Sequence, residues 1–187
     1  MTPQRAVAKR LYVWLVVAAL AAVAVLIFVM RSSLHHQVSQ ANPSSAEDLT
    51  ITIDQQTFDL RNGIADVDAA PGSAAKNTLR VVGKPVAGDV NRDGKPDNAL
   101  LLQNAPGGSG TFYYAVLAVN DGGGYHASNV LPLGDRIKPE RVDFTDGRFV
   151  YRFLERGPGE PMAADPTVEK KVVVQFDPAS DRISAVS

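Results

Sequence analysis

Residues 49–187 read as an all-β domain, an antiparallel sandwich or partly closed barrel, on three observations. Apolar residues recur at every second position rather than every third or fourth. The runs are short, and turn-forming clusters separate them at short intervals. No stretch in this part carries the stripe of an amphipathic helix.

Taken in order, Ile51 and Ile53 alternate with Thr50 and Thr52, and Thr57-Phe58-Asp59-Leu60 continues the pattern up to the turn signal Asn62-Gly63. Residues 65–77 read as a loop or a short irregular helix. Leu79–Val82 and Ala99–Gln103 are strands entering and leaving an acidic loop. The glycine-rich connection 104–110 leads into Thr111–Asn120, the most apolar strand, whose aromatic residues on both faces place it centrally. Asp121–Gly124 is a hairpin turn into Tyr125–Leu133. Arg141–Phe144 and Arg148–Leu154 flank Thr145-Asp146-Gly147, a second hairpin signal, and Phe149, Tyr151 and Phe153 fall on one face. Residues 155–168 form a long loop stiffened by Pro158, Pro161 and Pro166. Lys171–Phe176 and Arg182–Val186 then pair across residues 177–181. The expectation is eight or nine short strands.

The N-terminal part is of another kind. Residues 1–10 carry Arg5, Lys9 and Arg10 with no acid, and Leu11–Met30 is an unbroken apolar run of 20 residues. At about 1.5 Å per residue it spans about 30 Å, the thickness of a bilayer core. Lysine and arginine stay on the cytoplasmic side, which puts the β-domain outside. The sequence therefore predicts a cytoplasmic basic segment (1–10), a transmembrane helix (11–30), a Ser/Asn-rich flexible linker (31–48) and an exported β-domain (49–187). A cleavable signal has a shorter apolar core with a small-residue site close behind. Here Arg31 follows at once, so an uncleaved anchor is favoured, with cleavage after Ala41 as the alternative. A buried core helix would show a polar stripe, and this run has none. His35-His36, with no further ligands nearby, reads as solvated linker.

Composition excludes several chemistries. The chain has no cysteine, which rules out disulfides, thiolate metal sites, a cysteine nucleophile and a lipidated cysteine. A small exported domain without disulfides needs another staple, and a bound metal is one. Residues 1–31 hold four basic residues and no acid, leaving 15 basic against 20 acidic residues in the remainder, a net charge of −5. Nucleic-acid binding wants a basic domain, so no nucleic-acid partner is expected.

The strongest chemical signal is the acidic loop itself, Gly88-Asp89-Val90-Asn91-Arg92-Asp93-Gly94-Lys95-Pro96-Asp97. Asp89, Asn91, Asp93 and Asp97 place side-chain oxygens at loop positions 1, 3, 5 and 9. Lys95, at position 7, offers its backbone carbonyl, and Gly94 supplies the freedom to curl around an ion. Calcium takes six to eight oxygens in irregular geometry, so a structural Ca2+ is the expected cofactor. Position 12 is Leu100 rather than a bidentate Glu, and both flanks are strand-like, so this is not an EF-hand. The alternative is an Asx-rich turn whose carboxylates cap backbone N–H groups without metal. Against that stands the mutual repulsion of three carboxylates within nine residues.

The D-x-N-x-D-G-x-x-D spacing running into an apolar strand resembles the calcium loops of FG-GAP and VCBS-type repeats of extracellular β-proteins. That resemblance implies Asp89, Asn91, Asp93, Lys95 through its carbonyl, and Asp97 as ligands. It covers about fifteen residues in a single copy, and a propeller needs at least four blades, so a propeller is excluded. More widely, the order of this loop, then GGSGTFYYAV, LPLGDRIKPE and RGPGEPM, is similar to an uncharacterised group of bacterial envelope proteins anchored by lipid or by a helix. The similarity spans roughly residues 79–176. It supports the location and the fold and implies no particular chemistry. With no cysteine to lipidate, the anchor is the helix, which predicts a single-pass protein of the bacterial inner membrane with its C-terminal domain outside the cytoplasm.

Other motifs carry less. Gly107-Gly108-Ser109-Gly110-Thr111 fails as a G-x-S-x-G nucleophile elbow, because position 111 is Thr and a strand follows instead of a helix. His126, the one histidine of the β-domain, has no partner evident in sequence. The long loop offers Glu155, Arg156, Glu160, Met162 and Asp165 as a ligand or partner surface, since function on β-scaffolds concentrates in long loops. The reading is a membrane-anchored binding or interaction domain stabilised by calcium, its partner another envelope protein or a cell-wall glycan. The rivals are a cell-wall hydrolase using the loop carboxylates and a purely structural subunit of an envelope complex.

Overall fold

The computed structural model describes residues 43–186. The expected basic segment, the membrane helix, the linker as far as residue 42 and the site after Ala41 lie outside the described residues. Within them there is no helix, and every strand pairing is antiparallel.

A hairpin of β1 (Thr50–Ile53) and β2 (Gln56–Asp59) comes first. Seven strands then build the middle sheet: β3 (Ile64–Asp68), β4 (Lys76–Val81), β5 (Val86–Gly88), β6 (Asp97–Ala105), β7 (Phe112–Asn120), β8 (Tyr125–Ala127) and β9 (Leu131–Asp135). A meander of β10 (Lys138–Thr145), β11 (Arg148–Glu155), β12 (Val168–Asp177) and β13 (Arg182–Val186) forms the third sheet in chain order.

The middle sheet is covered on both faces, which explains why β6 and β7 read as near-continuous apolar runs. One face of β6 and β7 sends Ala99, Tyr113, Ala115, Leu117 and Val119 against Phe149, Tyr151, Phe153 and Val174 of the third sheet. The other sends Leu100, Leu102, Val116 and Ala118 against Leu49, Ile51, Ile53, Phe58 and Leu60 around the first hairpin. Burying each such Leu or Phe contributes about 1.5–3 kcal/mol. Tyr151 ties two layers with a polar bond as well: its buried hydroxyl donates to the Leu100 carbonyl of β6 at 3.1 Å. Burial pushes this phenol far above its ordinary range.

Two sequence expectations are corrected. Residues 65–77 are neither helix nor plain loop; they hold β3 and the start of β4, in register from Ile64↔Arg80 to Asp68↔Lys76. The alternation of Ala65 and Val67 with Asp66 and Asp68 was too weakly apolar to stand out, as suits a half-covered edge strand. The described residues also contain thirteen strands rather than eight or nine, partly because two long strands are broken. β4 and β5 share one edge of β6, and β8 and β9 share one edge of β7. At the second break Ser128 fills in for the ladder, its Oγ accepting the Leu117 N–H at 3.0 Å.

The first residues described are bonded into the fold. Tyr125 N–H donates to the Pro43 carbonyl, Gly63 N–H to the Glu47 carbonyl, and Asn62 N–H to Asp48 Oδ1, while Ala46 is buried. Segment 43–48, read from its polarity as the tail of a linker, uses that polarity to close turns.

At two corners the sheets approach each other. Gly88 of β5 lies against Phe144 of β10 so closely that a Cβ there would collide with the ring. At the opposite corner the Asn129 carboxamide pairs with β13 as a peptide group would. It donates to the Ile183 carbonyl at 3.1 Å and accepts the Ile183 N–H at 2.6 Å.

Candidate metal centre

Gly88 and Asp97 face each other as the last pair of the β5–β6 ladder, so residues 89–96 form an excursion at the tip of a hairpin. The chain curls there because Arg92 and Gly94 both take positive φ, 62° and 85°. Glycine adopts that region at no steric cost, and Arg92 does so held by the bonds around it.

Those bonds come from the loop's own acids. Asp89 Oδ1 and Asn91 Oδ1 both accept the Asp93 N–H, at 3.1 and 3.0 Å. Asp89 Oδ2 accepts the Gly94 N–H at 3.0 Å, and Asp93 Oδ1 accepts the Lys95 N–H at 2.8 Å. Three side chains are thereby folded inward over the loop backbone. Carboxylate and amide oxygens keep further acceptor capacity after one such bond. Lys95 reaches outward: its Nζ donates to the Asp121 carbonyl at 2.9 Å and lies 3.8 Å from Asp93 Oδ2.

Asp97 differs from the others. It is fully buried, 0% exposed. Its Oδ2 accepts the Val90 N–H and its Oδ1 the Asn120 N–H, both at 2.9 Å. The carboxylate thus pins the start of the loop to the end of β7. Burial pushes its carboxyl up from the ordinary range, the two N–H bonds oppose that, and the charges of Asp93 and Asp89 push it up further. Each of its oxygens has a hydrogen-bond partner, but no cationic side chain is ion-paired with it among the described residues. A buried carboxylate without a counter-charge is costly.

The donor set is what a hard cation takes: three carboxylates, one amide oxygen and a backbone carbonyl within nine residues. Among the described residues no three acidic or histidine side chains stand grouped as around an ion. A cation at this loop would compete with the backbone N–H groups for the carboxylate oxygens of Asp89 and Asp93.

The 155–165 set is dispersed into local tasks. Arg156 donates through Nε to the Ala164 carbonyl at 2.6 Å and through Nη1 to the Arg136 carbonyl at 3.0 Å. It staples the long loop to itself and to the β9–β10 turn. Glu160 Oε2 accepts the Gly157 N–H at 2.7 Å, and Glu155 pairs with Lys170 at 2.8 Å. Met162 and Asp165 are exposed. Beside this loop the Arg136 guanidinium chelates Asp135 and, with the Thr111 N–H, holds its carboxyl below the ordinary range.

His126 has partners the sequence did not reveal. Its Nε2 lies 3.0 Å from Asp181 Oδ1 and its Nδ1 4.0 Å from Asp121 Oδ2, and it meets no serine hydroxyl among the described residues. Asn120, Asp121 and Asp181 were all overlooked because their contacts span 23 to 55 positions. The Asn120-Asp121-Gly122 turn was the one local hint, since Asn120 Oδ1 accepts the Gly122 N–H there.

Comparison with protein-family models, with curated proteins and with solved structures finds no match to this chain.

Proposed function

We propose that this chain is a membrane-anchored, extracytoplasmic binding module whose β-domain is stabilised by a calcium ion held at the 89–97 loop. One observation carries the ion: Asp97 is a buried carboxylate with no ion-paired cationic side chain among the described residues, and Asp89 and Asp93 add charge of the same sign nearby. A divalent cation neutralises that set with the oxygen ligands it prefers. When bound, the ion supplies charge and cross-linking, joining loop residues to the ends of β6 and β7. Asp89, Asn91, Asp93, Asp97 and the Lys95 carbonyl would hold it.

The anchor rests on the 20-residue apolar run Leu11–Met30 and the basic residues before it. The envelope location rests on the same run and on the resemblance of residues 79–176 to bacterial envelope proteins. The partner is another envelope protein or a cell-wall glycan, and anchoring raises the effective concentration of the module near either. The three sheets are read as a layered sandwich with two nearly closed corners, a rigid platform of the kind binding modules use. A cell-wall hydrolase using the loop carboxylates is less well supported, because Glu155 and Glu160 are each tied to a separate local partner.

The test is thermal unfolding of the full chain in neutral detergent. Chelator should lower the melting temperature and calcium restore it. An unchanged melting temperature would remove the ion from the account.

A further inference from the structure

Although the chain after the apolar run is net acidic, cations gather on the outer face of the β10–β13 sheet. Phe149, Tyr151 and Phe153 of β11 point into the core, so Arg148 and Arg152 point away from it. Arg141 of β10 and Lys171 of β12 stand directly opposite Arg152 in the strand register. Three cations thus occupy one rung across three adjacent strands, spanning about 10 Å. Like charges directly opposite each other destabilise a sheet. The carboxylate set between them is shared: Asp143 Oδ2 lies 3.0 Å from Arg141 Nε and 3.3 Å from Arg152 Nε. Lys171 has no ion pair among the described residues.

This rung lines an open cleft of about 580 Å³. Glu140 and Glu169 border the same cleft without pairing with any of the three cations, and Lys170 is held by Glu155. Four residues along β11, about 13 Å away, Arg148 and Gln175 line a second cleft of about 250 Å³ with Arg92 of the acidic loop and one carboxylate, Asp146 of the β10–β11 turn. Neither Arg92 nor Arg148 has an ion pair among the described residues.

The geometry points to this face as the binding surface for an extended anionic glycan, its charge carried by carboxylate or phosphate substituents along the chain. Arginine matches either group with paired N–H donors. The length of the cationic track, from the Arg141–Arg152–Lys171 rung to Arg148 and Arg92, suits a polymer better than a single small anion. Nucleic-acid strands are held by exposed aromatic side chains on which bases stack, and the aromatic residues of β11 are all turned inward. Anionic membranes are engaged through protruding apolar side chains, and Val150, the apolar residue between Arg148 and Arg152, is buried.

This surface names the ligand class of the module proposed above and rests on that reading. Full-length protein in neutral detergent is titrated with polygalacturonate, with a phosphomannan and with neutral dextran. Binding of one or both anionic polymers, weakening as salt is raised, is expected, with none to dextran. Together, Arg152→Gln and Lys171→Gln should lower the affinity about tenfold at unchanged melting temperature, whereas Lys76→Gln, on β4 beside Asp68 of β3, leaves it as in wild type. Binding of dextran equal to that of the polyanions, no effect of the double substitution, or tighter binding to DNA or to anionic vesicles would overturn the proposal. The two readings fail separately: lost polymer binding with the calcium response intact removes this surface alone.

Discussion

Replacing Asp97 by Ala removes two acceptors at once and leaves the N–H groups of Val90 and Asn120 without partners at the base of the loop. The expected loss of stability is about 2–5 kcal/mol, measured by denaturant unfolding without added metal. A loss below 1 kcal/mol would mean that the carboxylate does not hold loop and strand together. Asp135 titrates in the opposite sense. Arg136 lowers its folded-state value, so the ionised form adds stability above the ordinary carboxylate range, and that stability is lost as pH falls through the lowered value. Asp135→Asn should therefore melt lower than wild type at neutral pH, and the gap should narrow below about pH 4. A gap independent of pH would assign the effect to packing. At this scale the sequence was legible where chemistry is local. The spacing of Asp89, Asn91, Asp93 and Asp97 announced a turn rich in oxygens, whereas the partnership of Asp97 with Asn120 depends on how β6 and β7 pair.

Hairpins show the same division. Asn62-Gly63 and Asp146-Gly147 were readable because glycine marks the positive φ both central residues need, and both pairs take it. The β1–β2 hairpin turns on Asp54-Gln55, also at positive φ in both residues, with no glycine to give it away. The edge strand β3 escaped notice because acids alternate with small apolar residues. Contacts between sheets left no trace at all, and Gly88 is the clearest case. Gly88→Ala should cost about 1–3 kcal/mol through collision with the Phe144 ring. The cost should shrink when Phe144→Ala is added, a coupling that a double-mutant cycle reads directly. Independent, additive losses would deny that the β5–β10 corner is tightly packed. In the long loop, Arg156→Ala frees the Ala164 and Arg136 carbonyls. Amide hydrogen exchange across residues 157–167 should quicken, with β11 unchanged. Equal protection in the variant would show that the prolines alone fix the loop.

For the whole molecule, a middle sheet buried on both faces was foreshadowed by the aromatic and aliphatic run Thr111–Asn120, though not which strands would cover it. Eleven of the residues in β6 and β7 are buried, among them the core of both layers. The acidic loop hangs from the end of this sheet, so an ion there cross-links the hairpin tip to the strands with most to lose on unfolding. Calcium at a hundredfold excess over its dissociation constant adds about 2.7 kcal/mol to the folded state, a rise of about 5–10 °C for a domain of this size. The most direct measurement is calorimetric titration of calcium into the metal-free full-length protein, alongside the Asp89→Ala variant. One ion bound per wild-type chain and none per variant is the expected result. No binding heat with wild-type protein and an unshifted melting temperature would contradict it, leaving the carboxylates as caps of a turn.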